Sequence, residues 1–284
     1  MTLALIPDEV SHDPFTAFEL AGAWGIRHFE IRYAYRWRVP LCPVWAADRT
    51  AAAVKACGVS VTAISPGIFK PVMQTDGSSV PVNADTPAEI ERHIREHLPR
   101  AFEFAAKLGT RRITLFALAK PAGTPAGTQA PAAAVDTLGR AAAAAAAAGF
   151  ELLLENGGGT WADSGAASAA LLAAVGSDAL RLTWDPANVA YAGLVEDPVG
   201  QGYAAVRPFA RNVHVKDAAV LDGKPHWVPL GTGCVDWPGQ LRRLRQDGYD
   251  GCLTLEPHLQ YESPVGLVAR VEAFVRQAQA LAAG

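Results

Sequence analysis

The sequence contains few cysteines, and their spacing argues against the structures that cysteines usually build. Cys42, Cys57, Cys234 and Cys252 are far apart along the chain, and none belongs to a CxxC pair. Zinc knuckles require closely spaced ligand pairs, and disulfide-stapled folds require a dense cysteine pattern. We therefore predict reduced thiols, as is usual for a cytoplasmic protein.

Long apolar segments are also absent. The apolar start of the chain is interrupted at Pro7 and no basic residue precedes it, unlike a secretory signal peptide. The alanine-rich tract at residues 141–149 is far shorter than the roughly 20 apolar residues that cross a bilayer. We expect no membrane association and a cytoplasmic location.

Positive charge is not in excess. The 25 Lys and Arg residues are balanced by 28 Asp and Glu residues, which gives a net charge of -3. Proteins that bind nucleic acid usually carry a basic face. We therefore predict a small-molecule partner rather than a nucleic acid.

What the sequence does contain is a regular alternation of short apolar runs and helical patterns. Eight runs have the length and composition of buried strands. They span residues 3–6, 28–31, 59–64, 112–116, 150–155, 180–184, 212–215 and 252–256.

A helical pattern follows each of these runs. The predicted helices span residues 14–25, 46–57, 87–108, 132–148, 164–175, 198–206, 237–246 and 265–282, with a break expected near Pro99. Strict alternation of this kind indicates parallel strands, and eight units favour closure into a ring. We predict an α/β fold, a (β/α)8 TIM barrel, as a single domain over residues 1–284.

The last four strands each end in a side chain that can bind a metal. These side chains are Glu155, Asp185, His214 and Glu256. In a barrel of this type the strand ends meet at one mouth, where three neighbouring carboxylates would repel one another. A divalent cation relieves that repulsion, and a mixed oxygen and nitrogen ligand set suits Mn2+, with Mg2+, Co2+, Fe2+ or Zn2+ as alternatives.

The same residues resemble those of the xylose-isomerase-like barrel superfamily of sugar and sugar-phosphate isomerases and epimerases. The resemblance spans nearly the whole chain and rests on four motifs. These are Leu154-Glu155-Asn156, Trp184-Asp185-Pro186-Ala187-Asn188, Val213-His214-Val215-Lys216-Asp217 and Leu255-Glu256-Pro257-His258. The motifs are specific for the superfamily and do not specify a substrate.

The resemblance implies one metal ion held by the four residues, with Glu155 and Glu256 also acting as the acid/base pair. A carbon next to a carbonyl loses its proton only when the resulting enediolate is stabilised, and a cation supplies that stabilisation. Returning a proton to the opposite face gives an epimer. Returning it to the adjacent carbon interconverts aldose and ketose.

The sequence departs from many ketose epimerases of this group at two positions that contact the substrate there. Asn188 stands where they have a His, and Lys216-Asp217-Ala218 stands near the place of an Arg. We expect Asn188 and Lys216 to contact the substrate.

Three further residues are predicted to line the mouth. They are Glu30 and Arg32 at the second strand, and His258 beyond Glu256. Gly231-Thr232-Gly233 is a weak candidate for a phosphate loop, because barrels often bind phosphate near strands seven and eight.

Three other functions are open at this point. The same chemistry with loss of a β-hydroxyl gives a metal-dependent dehydratase of an inosose-type or shikimate-type ketone. An apurinic-site endonuclease shares the fold, but it uses three zinc ions with more His ligands and a basic surface. The last alternative is a sugar-binding protein without catalysis. A homo-oligomer is compatible with all of them.

Overall fold

Eight parallel strands form a closed barrel, as predicted. The computed structural model describes residues 1–70, 72–73, 79–80, 87–121, 123–193, 197–259 and 263–284. The barrel strands, numbered in chain order, are β1 (Thr2–Leu5), β2 (His28–Ile31), β3 (Ser60–Ile68), β4 (Arg112–Phe116), β5 (Glu151–Glu155), β6 (Leu180–Trp184), β7 (Ala210–Val215) and β8 (Cys252–Leu255). Each strand pairs with the next, and β1 closes the ring by pairing with β8.

The strand boundaries lie within two residues of the predicted ones except at β3. The sequence predicts an end at Ile64, before Pro66 and Gly67, because these residue types usually interrupt a strand. In the structure β3 continues to Ile68, with an irregular register against β4 between Ile64 and Ile68. The extension carries the chain further into the mouth of the barrel.

The helices surround the barrel in the predicted order. They are Pro14–Ala23, Val44–Cys57, Leu98–Lys107, Ala132–Ala148, Gly165–Val175, Tyr203–Val206, Trp237–Gln246 and Pro264–Ala283. A π-helical segment, His93–His97, joins Pro87–Arg92 to the third of them. Pro99 follows this segment and lacks an N–H group, so the regular hydrogen-bond ladder cannot continue through it.

Short elements not predicted from the sequence lie at the mouth. The helix Pro186–Tyr191 directly follows β6, and the strands Asp217–Leu221 and Lys224–Val228 form an antiparallel hairpin after β7. A smaller hairpin, Tyr33–Ala34 with Trp37–Arg38, follows β2. These elements make the mouth deeper than the eight strands alone would.

The four cysteines are free, as expected. Within the described ranges, no helix combines the length and the apolar character needed to cross a membrane.

Candidate metal centre at the mouth of the barrel

The four predicted ligands lie together at the carboxyl ends of β5 to β8. Glu155 is the last residue of β5, His214 lies on β7, and Asp185 and Glu256 immediately follow β6 and β8. Each offers one ligand atom, and these atoms all lie within 4.8 Å of one another. All four side chains are buried. The strand pairing explains the convergence, because parallel neighbours bring successive strand ends to one level.

The hydrogen bonds leave two of these atoms available to a cation. His214 Nδ1 and Asp185 Oδ2 are buried without a hydrogen-bond partner, although Asp185 Oδ2 lies 2.7 Å from Lys216 Nζ. His214 Nδ1 lies 3.2 Å from Glu256 Oε2 and 3.5 Å from Glu155 Oε1. Unpaired buried polar atoms are costly, and a bound cation removes that cost. The donor set of three carboxylates and one imidazole therefore fits a divalent metal ion.

Glu30 lies beneath His214, inside the barrel. It is fully buried, and its Oε2 is 3.1 Å from His214 Nε2. Its two oxygens also accept hydrogen bonds from Thr114 and Asn212. With Nε2 held by Glu30, the other ring nitrogen of His214 points to the carboxylates. This placement favours a positioning role for Glu30 over the substrate contact expected from the sequence.

Two asparagines outside the ligand set bind Asp185 and Glu155. The Asn156 side chain accepts a hydrogen bond from Asp185 N–H at 2.7 Å and donates to Asp185 C=O at 2.8 Å. Asn188 Nδ2 lies 3.3 Å from Glu155 Oε1 and donates to Asn156 C=O. Asp185 also caps the helix Pro186–Tyr191 by accepting from Asn188 N–H. Asn156 was not among the predicted site residues, although it follows Glu155 directly.

Lys216 and Arg32 neutralise part of the negative charge. Lys216 Nζ is buried 2.6 Å from Glu256 Oε2 and 2.7 Å from Asp185 Oδ2, although the second contact lacks hydrogen-bond geometry. Arg32 donates to Glu256 Oε1 at 2.8 Å. Burial raises the pKa of Glu256, but Lys216, His258 and His214 outweigh burial and bring that pKa well below its usual value. Glu256 is therefore a carboxylate at neutral pH.

The pKa of His214 is shifted in the opposite direction. Burial lowers the pKa of its imidazole, whereas Glu30, Glu155 and Glu256 raise that pKa well above its usual value. The protein around this ring therefore favours positive charge at this point, whether as a proton or as a metal ion.

His258 lies at the rim of the site on the far side of Glu256. Its Nε2 is 3.3 Å from Glu256 Oε1, and its Nδ1 is 3.0 Å from Glu9 Oε1. Glu9 and Asp8 also bind the guanidinium of Arg32 at 2.7 and 2.6 Å. With 28% of its side chain exposed, His258 can reach a molecule in the mouth.

Aromatic rings form one wall of the mouth. Trp227, on the hairpin after β7, stacks on Tyr191 with ring centroids 4.1 Å apart. The same indole lies 5.5 Å from the His258 ring and 4.9 Å from Lys216 Nζ. The wall combines an apolar face with the polar groups of the centre.

In the loop Gly231-Thr232-Gly233 after β7, the glycine N–H groups bind a side chain of the protein itself. Asp217 Oδ2 accepts hydrogen bonds from Gly231 N–H at 2.9 Å and Gly233 N–H at 3.0 Å. These amides are therefore not free to bind a phosphate, and the weak candidate from the sequence is wrong.

Comparison with known proteins finds a family model that matches most of the chain. The model of the xylose isomerase-like TIM barrel family matches residues 18–278. No curated protein matches the sequence.

Solved structures with the same fold are numerous and share little sequence. A xylose isomerase domain protein from Planctomyces limnophilus is 21% identical with a TM-score of 0.73, over 99% of this chain and 96% of its own. A D-psicose 3-epimerase from Clostridium cellulolyticum, solved with D-tagatose, is 14% identical with a TM-score of 0.71, over 99% of each chain. A probable 3-DHS dehydratase from Bacillus anthracis is 17% identical with a TM-score of 0.71, over 98% of this chain and 99% of its own.

Proposed function

The chain belongs to the xylose isomerase-like TIM barrel family, and on this premise we propose that it is a divalent-metal-dependent isomerase or epimerase. Its substrate is a sugar, a sugar phosphate or a related polyhydroxy carbonyl compound. The observation that carries the proposal is the cluster of Glu155, Asp185, His214 and Glu256, with two buried ligand atoms that lack a hydrogen-bond partner.

The four residues hold one divalent ion in this proposal. Mn2+ suits the oxygen-rich set, and Mg2+, Co2+, Fe2+ or Zn2+ are compatible with it. When bound, the ion stabilises the negative charge that develops on the substrate oxygens during proton abstraction.

Glu155 and Glu256 exchange the proton with substrate carbon. Each carboxylate has two oxygens, so one can face the cation while the other acts as base. Their environments differ in a way that separates their roles. Glu256 Oε1 is held by Arg32 and His258, whereas Glu155 Oε1 has only the long contact to Asn188 and the His214 ring nearby. We assign proton removal to the less restrained Glu155 and proton return to Glu256.

The mouth supplies the remaining substrate contacts. Trp227 and Tyr191 provide a flat apolar surface for the carbon face of a sugar ring. Asn188, Lys216 and His258 lie close enough to the carboxylates to bind substrate oxygens.

The dehydratase alternative is favoured by one observation. Loss of water from an enolate requires an acid beside the leaving hydroxyl. Within the part of the chain that the structure describes, His258 combines partial exposure with a contact to Glu256, whereas Lys216 is buried between two carboxylates. His258 is therefore the better candidate acid for that reaction.

Solvent deuterium exchange tests the proposal. The metal-loaded protein is incubated in D2O with ketoses, sugar phosphates and inosose-type ketones, and the products are examined by NMR after free metal is removed. Deuterium at a carbon next to the carbonyl supports isomerisation or epimerisation, and the labelled position separates the two. Loss of water from a substrate would support the dehydratase instead. Metal binding without exchange for any substrate of the panel would count against both functions.

A variant pair on one strand supplies the control. Glu155→Gln retains a metal-binding amide oxygen but cannot accept the proton, so exchange is expected to disappear while some metal remains. Glu151 begins the same strand at the opposite end of the barrel, where it pairs with Arg112. Glu151→Gln is expected to exchange at the unmodified rate.

A further inference from the structure

Four of the basic side chains that the structure describes lie at the mouth, and acidic partners are described for two of them. Arg32 contacts Asp8, Glu9 and Glu256, and Lys216 contacts Asp185 and Glu256. Arg38 and Lys70 form no ion pair with any described residue. A cation in a concave site without a counter-ion is unusual when carboxylates are close by. The two residues therefore need an explanation that the metal centre does not supply.

Arg38 is held firmly although it lacks an acidic partner. Its guanidinium lies 5.3 Å from the centroid of the Tyr33 ring on one side. On the other side Gly67 makes room for it, because a Cβ atom there would lie 3.3 Å from Arg38 Nε. Nη2 donates to Ser65 Oγ at 3.4 Å, and Nε is buried without a hydrogen-bond acceptor. The group is thus fixed in orientation with donor capacity left over.

Lys70 stands on the same side of the mouth. It follows the extended end of β3, and its Nζ lies 5.0 Å from the centroid of the Phe116 ring. Phe116 pairs directly with Glu155 across β4 and β5. Lys70 Nζ therefore lies over a ring on the strand next to that of Glu155.

The electrostatic surroundings of both cations agree with this arrangement. Desolvation lowers the pKa of Lys70, and Arg38 and Arg32 lower it further, whereas Glu155 and Glu256 act in the opposite direction; the side chain remains accessible to solvent. Desolvation also lowers the pKa of Arg38, and Arg32 adds to this effect. A bound anion would offset the repulsion between these cations.

The mouth is therefore divided between two arcs of opposite character. The acidic arc consists of the ligands at β5 to β8, and the basic arc consists of Arg38 and Lys70 beside β2 and β3. We propose that the basic arc binds an anionic group of the substrate, a carboxylate or a phosphate, while the reacting carbonyl faces the acidic arc. This inference rests on the proposed function for the reacting carbonyl at the acidic arc. The existence of the anion site does not depend on it.

Arginine suits this role because its planar guanidinium can donate two parallel hydrogen bonds to one carboxylate or phosphate. Lys70 supplies a second charge without a fixed direction. Such a pair orients an anionic substrate and discriminates against a neutral one, because a neutral ligand would leave both cations desolvated and unpaired.

The test compares matched neutral and anionic substrates by the deuterium exchange assay. One pair is a ketose and its phosphate, and the other is a cyclic polyhydroxy ketone and a cyclic keto acid. We expect the anionic member of one pair to have the higher kcat/KM, and that pair identifies the group as phosphate or carboxylate. Arg38→Gln is expected to lower that kcat/KM by about 10- to 100-fold and to leave the neutral member unchanged.

Arg36→Gln is the matched control. Arg36 is exposed at the tip of the same hairpin. It is not expected to alter the preference. Equal kcat/KM for anionic and neutral members, or equal losses for both in Arg38→Gln, would overturn the anion site.

A binding experiment keeps the inference testable if no substrate of the panel reacts. Inorganic phosphate and malonate are titrated calorimetrically into metal-free protein, so that neither anion can bind to a metal ion. At least one of them is expected to bind the unmodified protein and Arg36→Gln equally, and Arg38→Gln about tenfold or more weakly. Binding unaffected by Arg38→Gln, or no binding of either anion, overturns the site. Binding that depends on Arg38 with no turnover would instead count against the proposed reaction alone.

Discussion

At the scale of single residues, the contact between Glu30 and His214 bears on the proposed metal site. Glu30 binds His214 Nε2 and thereby directs Nδ1 towards the carboxylates. Such outer partners usually contribute 10- to 100-fold to metal affinity. We predict that Glu30→Gln weakens metal binding by about that factor and leaves a folded barrel, measured by competition with a chelator.

The control for this prediction is again Glu151→Gln, on the far end of β5. It removes a carboxylate from a barrel strand without touching the centre. An affinity of Glu30→Gln equal to that of the control would show that His214 is oriented by other contacts.

Single residues also show where sequence reasoning succeeds and where it stops. Glu155, Asp185, His214 and Glu256 were identifiable because each stands at or near the end of an apolar run, and parallel strands end at one level. Glu30 also stands near the end of such a run, but its side chain points into the barrel below His214. The sequence places a residue along a strand, but it does not show which side chain the residue contacts inside the barrel.

At the scale of secondary structure elements, His93 joins the end of β3 to the π-helical segment. Phe69 N–H donates to His93 Nδ1 at 3.0 Å, and Phe69 itself has a positive φ of 58°. Burial, together with the nearby charges of His97 and Arg92, lowers the pKa of His93 to about 4. The folded protein therefore holds this imidazole neutral where the unfolded chain would protonate it.

A pH dependence of stability follows from that difference. Between the unfolded pKa of about 6.5 and the folded pKa, the unfolded chain binds more protons, so stability falls as the pH decreases through this range. We predict a loss of up to about 3 kcal/mol in the free energy of unfolding from this group, measured by urea titration at several pH values. His93→Gln should flatten the dependence and the exposed His226→Gln should not; equal curves for both variants would contradict the assignment.

Asp217 organises the loop after β7 through hydrogen bonds to its carboxylate. Its carboxylate is fully buried and accepts hydrogen bonds from the N–H groups of Ala218, Gly231, Gly233 and Val235. Asp217→Ala would leave these donors unpaired, at a cost of about 2–4 kcal/mol in the free energy of unfolding. Urea denaturation measures the loss. Asp222→Asn, at the exposed tip of the same hairpin, is expected to change stability by less than about 0.5 kcal/mol, and similar losses in both would refute this role.

The elements themselves were predictable to different degrees. Eight strands and the surrounding helices follow from apolar periodicity and helix caps, which are local signals. The extension of β3 through Pro66 and Gly67 is not local, because it depends on pairing with β4 at Ile68. The hairpin Asp217–Leu221 with Lys224–Val228 was also missed, since half of its residues are exposed and its second strand lacks an apolar run. Arg38 and Lys70 were overlooked for this reason, as both lie on or beyond such irregular elements.

At the scale of the whole molecule, we expect an ion bound at the proposed site to stabilise the barrel. The ligands come from four strands, so a cation bound there binds the folded state and not the separated strands. At a free concentration of 100 times its dissociation constant, the ion would add about 2.7 kcal/mol. We predict a rise in Tm of roughly 5–10 °C on metal addition, measured by differential scanning calorimetry.

Asp185→Asn supplies the comparison for this measurement. The substitution preserves the shape of the side chain but removes a ligand charge, so its Tm is expected to respond much less to the same ion. An equal rise in both proteins would place the stabilising ion elsewhere on the molecule.

The contribution of β2 to the centre also bears on the order in which the chain assembles. All four ligands lie after residue 150, yet Glu30 orients His214 and Arg32 holds Glu256 from the other end of the chain. The C-terminal strands alone therefore possess the ligands without their orientation. During refolding, tight metal capture becomes possible only once β1 has joined β8 to β2 and closed the ring. The rate of metal uptake during refolding can thus report the rate of barrel closure.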